Sequence, residues 1–196
     1  VSASHNPYRD NGIKFFSGQG TKLGDEHEAR IESLLDDHGR HFNGIPGEMT
    51  TAVAVEPGHV RELNGGLDDY LRELEATFPL DLAGRRVVLD CANGAAYRAA
   101  PAIFQRLGAE IEVIGAEPDG RNINAGCGST HLEPLAERVA RSDAEIGFAV
   151  DGDADRMLAV DGNGRVYEGY ELSVLAARGL AGRGELEGGV VVTLMT

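Results

Sequence analysis

Three short apolar runs, Arg86 to Asp90, Glu110 to Ile114 and Glu145 to Val150, are separated by stretches whose apolar residues recur at helical spacing. This alternation constrains the fold more than any other feature of the chain. Runs of this length bounded by turn residues read as buried strands, and Ala95 to Leu107 and Leu132, Leu135 and Val139 mark the helices between them. Strand alternating with helix predicts an α/β architecture with a parallel sheet and right-handed crossovers. Pro101 is expected to kink the first of those helices. Met157 to Val160 and Arg165 to Tyr167, joined by Asp161-Gly162-Asn163-Gly164, predict a hairpin after the third strand.

Directly after that third strand comes Asp151-Gly152-Asp153-Ala154-Asp155-Arg156. Open α/β sheets place their ligands just past the carboxyl ends of strands, which is where these residues fall. Carboxylates crowded together push one another toward protonation unless positive charge sits among them. Magnesium suits the position, because it takes oxygen ligands in near-octahedral array and leaves sites for water and phosphate. Gly152 and Ala154 carry almost no side chain, so the backbone can curl until alternate carboxylates converge. Arg156 adds a planar cationic fork suited to phosphate. An EF-hand would need Gly at loop position six and Glu at position twelve, where Arg156 and Gly162 stand instead. A phosphatase with an aspartate nucleophile also begins D-x-D, but its remaining parts normally lie well downstream, and only 40 residues follow Arg156.

Ser2-Ala3-Ser4-His5-Asn6-Pro7 and Asn11 to Phe16 place a hydroxyl, an imidazole, an amide and an ammonium inside the first fourteen residues. Pro7 turns Asn6 away from helix, so the serine rides an extended or turning loop. An acyl-transfer nucleophile is excluded on pattern. The G-x-S-x-G elbow is absent, and a triad base normally comes from a distant part of the chain rather than from the adjacent His5.

The formal charge of −14 argues against nonspecific binding of nucleic acid or an acidic membrane surface. An anionic substrate must then be drawn by local cations, and Lys14 is one of only two lysines. Cys91 and Cys127 form neither a C-x-x-C pair nor a disulfide framework, which predicts a reducing, cytoplasmic setting. No apolar run approaches the ~18 residues of a membrane helix. Val1 is not an initiator methionine, and the chain is expected to be an excised piece.

Elsewhere, Ile13 to Phe16 reads as a strand, Gly18 to Gly24 as a polar turn, and Ile31, Leu34 and Leu35 as one face of a helix ending near Gly39. His38 and His41 flank that end as surface histidines without ligand-spaced partners. Glycine, proline and short Val/Ala pieces fill Gly44 to Gly66, and Leu67, Tyr70, Leu71 and Leu74 predict another helix. Asn93-Gly94 reads as a strand-to-helix turn. Tyr170 to Leu180 looks helical and Val190 to Met195 strand-like.

Ser2 to Phe16 and Asp151 to Arg156 resemble the phosphoserine loop and the metal loop of the alpha-D-phosphohexomutase superfamily. Between them, Pro118 to Asn124 (PDGRNIN) and Cys127 to His131 (CGSTH) resemble its phosphoglucosamine mutase branch. The similarity runs along essentially the whole chain and departs mildly at Ala154, where many members have Gly. The resemblance implies repeated α/β domains whose mixed, mainly parallel sheets are sandwiched by helices. Residues 1–76 would be the C-terminal part of domain 1, 77–169 domain 2, and 170–196 the beginning of domain 3. The N-terminal part of domain 1, most of domain 3 and all of domain 4 would be missing.

It further implies that Ser4 is carried as a phosphoserine and donates its phosphoryl group to a hexose phosphate. The resulting bisphosphate turns over and returns its other phosphoryl group. Asp151, Asp153 and Asp155 would hold Mg2+ with an oxygen of phosphorylated Ser4. Lys14 would stand beside the transferring group as a candidate for proton transfer, and His5 and Arg156 would help hold the phosphate. The loop Gly128 to His131 would face the cleft. No other cofactor is implied. The substrate would be a hexosamine phosphate, passing between glucosamine 6-phosphate and glucosamine 1-phosphate through the bisphosphate, and a homodimer is compatible with this reading. A phosphomannomutase/phosphoglucomutase and a noncatalytic phosphosugar- or metal-binding module are the alternatives. By itself the chain is expected to bind magnesium without catalysing isomerisation.

Overall fold

The computed structural model describes residues 2–42, 59 and 64–191, with backbone alone for 35–42. These belong to two compact units, Val1–Gly12 with Gly65–Thr196, and Ile13–Asn64.

The first unit is built on a five-stranded sheet of order β2-β1-β3-β4-β5, with β1 at Arg86–Asp90, β2 at Glu110–Ile114, β3 at Ile146–Val150, β4 at Met157–Asp161 and β5 at Val166–Tyr167. β1 runs parallel to both β2 and β3, while β4 returns antiparallel to β3 and β5 to β4. The sheet is therefore mixed, as expected, with a parallel heart. From β1 the chain goes outward to β2 and then crosses back to β3 on the other side. The carboxyl edge of β1 and β3 is thus a topological switch point, where open sheets form a crevice.

Alternation along the strands divides the core. Val88, Ala149 and Val160 point toward Leu135 and Val139 of α4 (Glu133–Ala140), all five fully buried. On the other face Val87, Leu89, Ile146 and Phe148 meet Ala100 and Phe104 of α3 (Ala99–Arg106). Helices thus cover both faces. Gly147 is needed where α4 comes closest, since a Cβ there would lie 2.6 Å from Val139 Cγ2. Pro101 does not kink a helix. Ala95–Tyr97 forms a separate 3-10 turn, and α3 begins at Ala99, which puts the proline in a first turn where its missing N–H costs nothing.

α2 (Gly66–Thr77) buries Leu71 and is tied to α3 through ion pairs from Arg106 to Asp68 and Glu75. α5 (Gly169–Arg183) opens with a Glu168/Glu171 capping box and closes on Gly184, whose φ of 72° is the left-handed stop a glycine supplies. Its Tyr170, Val174 and Leu175 are exposed. The hairpin turn between β4 and β5 is held by Asp161. N–H groups of Arg165 and Asn163, the Tyr167 hydroxyl and the Arg165 charge keep its carboxyl below the usual range against a smaller opposing effect of desolvation.

In the second unit, α1 spans Asp25–Phe42 with Asp25, Glu26 and Glu28 complementing its dipole. It runs through Gly39 instead of ending there. Ile13 to Phe16 forms no strand among the described residues, because its one ladder contact is the isolated bridge Phe16–Lys22, closed over a turn in which Ser17 N–H donates to Thr21 O. The side chains of Leu35, His38 and His41, residues 43–58 and 60–63, and the 192–195 part of the expected final strand lie outside the described residues.

Candidate functional site

β3 ends at Val150 and the chain turns at once. Ala154 N–H donates to Asp151 O at 2.9 Å, Arg156 N–H donates to Asp151 Oδ1 at 3.2 Å, and Ala154 takes a φ of 59°. This curl brings one carboxylate oxygen each from Asp151, Asp153 and Asp155 within 4.8 Å of one another. Asp151 is fully buried, Asp153 half-buried and Asp155 exposed.

The serine loop lies against this turn. Ser2 and Gly12 close its base through reciprocal backbone bonds of 2.9 and 2.8 Å, and Asn6 N–H donates to Ala3 O at 2.9 Å. Ser4 sits at the bend with a φ of 48°. Its hydroxyl donates to Asp151 Oδ2 at 3.2 Å, while that of Ser2 donates to Asp153 Oδ2 at 2.9 Å. Two hydroxyls thus reach two carboxylates 147 and 151 residues away along the chain. Ser4 Oγ is also 3.4 Å from His5 Nδ1.

What permits this approach is the absence of side chains. A Cβ on Gly152 would stand 2.5 Å from Ser4 O, and one on Gly94 would stand 2.3 Å from Gly152 O. Three backbones therefore stack directly, joined by Gly152 N–H to Ser4 O at 2.9 Å and Ala95 N–H to Gly152 O at 2.8 Å. Asn124 adds its side-chain amide, donating to Ser4 O at 2.7 Å and Asn6 O at 2.8 Å.

Behind the stack, buried Asp90 ends β1 and accepts the N–H of Ala92 at 2.9 Å and of Gly128 at 2.8 Å. It holds the loop that carries Ser129 and Thr130. Cys91 and Cys127 are buried beside it. Desolvation, and secondarily the Asp90 carboxylate, pushes both thiols up to about 11, with an opposing hydrogen bond from Asn93 at Cys127. Both stay protonated at neutral pH, which makes them core groups and not nucleophiles.

On the outer side, His5, Arg156, Ser129 and Thr130 line one cavity of about 470 Å³. Arg156 lies 3.9 Å from Asp155. A larger cavity of about 620 Å³ sits by the opposite ends of β1 and β3, but Leu74, Phe78, Phe104 and Phe148 make it mainly apolar, and the charged Arg85 and Glu145 on its lining are paired with each other. The chemistry belongs to the carboxyl edge. Lys14 is exposed and belongs to the second unit.

Of the residues singled out from sequence, Ser4, His5, Arg156 and the three aspartates all come from the first unit, and contacts link Ser4 to His5 and Asp151 and Arg156 to Asp151 and Asp155. Sequence reasoning missed Ser2, Asp90 and Asn124 and favoured a strand-to-helix turn over a phosphate cradle at Gly94. The S-x-S spacing was the one available signal, since residues two apart in an extended segment share a face. The donor set is all oxygen and strongly anionic, which fits a hard divalent cation and not a thiolate- or imidazole-seeking metal.

Fold and site together define an α/β protein with an acidic oxygen-donor cluster facing a serine loop across a sheet's switch point. Residues 1–40 match the phosphoglucomutase/phosphomannomutase alpha/beta/alpha domain I, and residues 68–164 match domain II. The phosphoglucosamine mutases of Pseudomonas savastanoi pv. phaseolicola and Pseudomonas aeruginosa are each 48% identical over 198 aligned positions, covering 100% of this chain and 42% of those proteins. A crystal structure of a phosphoglucomutase/phosphomannomutase family protein from Burkholderia thailandensis superposes with a TM-score of 0.61 at 24% identity, over 93% of this chain and 37% of that one. The chain belongs to the phosphoglucomutase/phosphomannomutase family and spans less than half the length of the curated relatives it matches.

Proposed function

We propose that the protein containing this chain is a phosphohexomutase that interconverts glucosamine 6-phosphate and glucosamine 1-phosphate through a phosphoserine at Ser4 and a hexosamine bisphosphate. The observation that carries this reading is the hydroxyl of Ser4, 3.2 Å from Asp151 in a cluster of three aspartates 147 residues further along the chain. The 48% identity to proteins named phosphoglucosamine mutase supports the glucosamine branch. Family boundaries are proposed at residues 76 and 169, with 1–76 from domain 1, 77–169 as domain 2 and 170–196 opening domain 3.

Phosphorylated Ser4 brings roughly 1.5 to 2 negative charges to a place already holding three carboxylates. Asp151, Asp153 and Asp155 would hold Mg2+, with a phosphoserine oxygen, and the ion would offset that charge. His5, beside Ser4 Oγ, and Arg156, on the same cavity, are placed to donate to the phosphoryl oxygens. In the transfer a substrate hydroxyl oxygen bonds to phosphorus as the bond from phosphorus to Ser4 Oγ breaks, and Lys14 is proposed to take the hydroxyl's proton. The bisphosphate then returns its other phosphoryl group to Ser4. Phosphoryl transfer of this kind depends on positioning and charge neutralisation, which matches a site held rigidly by backbone stacking.

The test is turnover of the full-length protein with the phosphates of glucosamine, glucose and mannose, together with mass analysis of the peptide containing Ser4. Preferred turnover of the glucosamine phosphates with one phosphate on that peptide is expected. A Ser4 that remains unmodified in active enzyme overturns the mechanism, and a preference for glucose or mannose overturns the branch.

A further inference from the structure

The loop from Gly115 to Cys127 places a buried Asn124 against the serine loop. Asn124 takes a φ of 56°, and its N–H donates to Ala92 O at 2.9 Å, which fixes its backbone to the end of β1. From there the side-chain amide uses both of its hydrogens, one toward Ser4 O at 2.7 Å and one toward Asn6 O at 2.8 Å. Two carbonyls can only accept, so the amide nitrogen must face them. The Oδ1 atom is left buried with no hydrogen-bond partner among the described residues. Burying an unpartnered carbonyl oxygen is unfavourable, so the orientation is held by what the nitrogen does.

We propose that Asn124 is a positioning residue: it clamps the serine loop by the carbonyls on either side of His5 and thereby fixes where the Ser4 hydroxyl stands relative to Asp151. The inference deepens the phosphoserine reading and rests on it. The second contact on Ser4 O is the Gly152 N–H at 2.9 Å, so this one carbonyl is gripped from the metal loop and from Asn124 together. Asn6 O, in contrast, has Asn124 as its donor on the opposite side of His5. Without the amide the Gly152 bond alone would hold the bend, which would loosen there and carry Ser4 and His5 with it. The aspartates, held by their own turn, would stay in place.

The backbone conformation dictates the variants. Asn124→Gly removes the amide while tolerating positive φ. Asn124→Asp keeps shape and tolerance of positive φ but sets a carboxylate against two carbonyl oxygens. In the full-length protein, Asn124→Gly is expected to lower kcat by about 100-fold, the scale of a ~1 Å misplacement of a reacting group. KM should stay within about twofold and the magnesium dependence of any residual turnover should remain. Hydrogen exchange should speed up at Gly152 N–H and Asn6 N–H, with β1 unchanged. Asn124→Asp should reproduce both effects.

Unchanged kcat in either variant that folds overturns the proposal, whether or not exchange speeds up. So does a loss expressed wholly in KM, or a lowered kcat without faster exchange at Gly152 and Asn6. Because the exchange measurement does not involve phosphate, it reads the clamp even in a protein without turnover. Absence of phosphate on wild-type Ser4 would defeat the functional reading separately, and a clamp seen by exchange alone would then be structural, which also overturns the positioning role.

Discussion

Gly152 lies between Ser4 O and Gly94, and its substitution by alanine measures how closely the two loops must approach. Its φ is outside the left-handed region, so Gly152→Ala acts through the methyl group alone. That methyl would stand 2.5 Å from Ser4 O and 2.7 Å from Ile123 Cδ1. Ile123 can rotate away. The carbonyl cannot, because it is bonded to Gly152 N–H at 2.9 Å and Asn124 Nδ2 at 2.7 Å. Reaching ordinary contact, roughly 3.5 Å, requires the serine loop to withdraw by about 1 Å. A shift of that size at a reacting atom costs about 100-fold in rate, equivalent to ~2.7 kcal/mol in the barrier. Overpacking should also cost about 1–3 kcal/mol of stability. The assay is kcat of the full-length protein with glucosamine 6-phosphate, beside a thermal melt and a magnesium titration. Gly182→Ala is the control, since nothing lies within 4 Å of a Cβ there. Fast turnover in Gly152→Ala, with kcat within twofold of wild type, would refute the idea that direct backbone contact sets the position of Ser4.

Ser4→Ala should abolish transfer while calorimetric magnesium binding to the aspartates largely persists; retained turnover removes Ser4 from the chemistry. Asp153→Asn should weaken magnesium activation by at least about 10-fold, read from the concentration giving half-maximal rate, because one anionic donor is lost and Ser2 no longer donates to a charge. Leu135→Ala should lower stability by about 2–5 kcal/mol in urea unfolding, since Leu135 is fully buried between α4 and the sheet. The two thiols set a pH dependence. Their pKa values are raised in the folded protein, so their stabilising contribution is complete below an unfolded value of about 8.5 and is lost as pH rises toward about 11. The urea midpoint should fall between pH 8 and 10.5, and fall less in Cys91→Ala.

β1 and β2 were legible in the sequence because a short apolar run between turn residues has few other uses, and the parallel sheet followed from their alternation with helices, whereas the strand order that makes the switch point did not. Ile13 to Phe16 has the same composition and is not a strand, since a strand needs a partner ladder that composition cannot supply. The aspartate cluster was legible because its spacing alone makes the chemistry demanding. Ser2, Asp90 and Asn124 were not, for a physical reason: each acts through one hydrogen bond to a group far along the chain, and a polar residue in a loop carries no local mark of its distant partner. Gly94 announced a turn but not the backbone lying against it.

Backbone strain collects at the same edge. Among the described residues, every non-glycine with positive φ lies in the loops around the site: Ser4 at 48°, Ala92 at 52°, Asn93 at 48°, Asn124 at 56° and Ala154 at 59°. Asparagine visits this region cheaply, but alanine and serine lose about 1–2 kcal/mol each. Such strain persists only where the surroundings over-determine it, as the stacked backbones do here. Ala154 isolates the effect, because it is exposed and sits between two of the aspartates. Ala154→Gly should relieve the left-handed strain and lose about 0.5–1 kcal/mol to the greater freedom of glycine in the unfolded chain. The balance runs from nothing to a gain of about 1.5 kcal/mol, or at most roughly 3–6 °C in Tm for a domain of this size. A lowered Tm would mean that the curl between Asp153 and Asp155 is not strained, and that the methyl at Ala154 stabilises the turn.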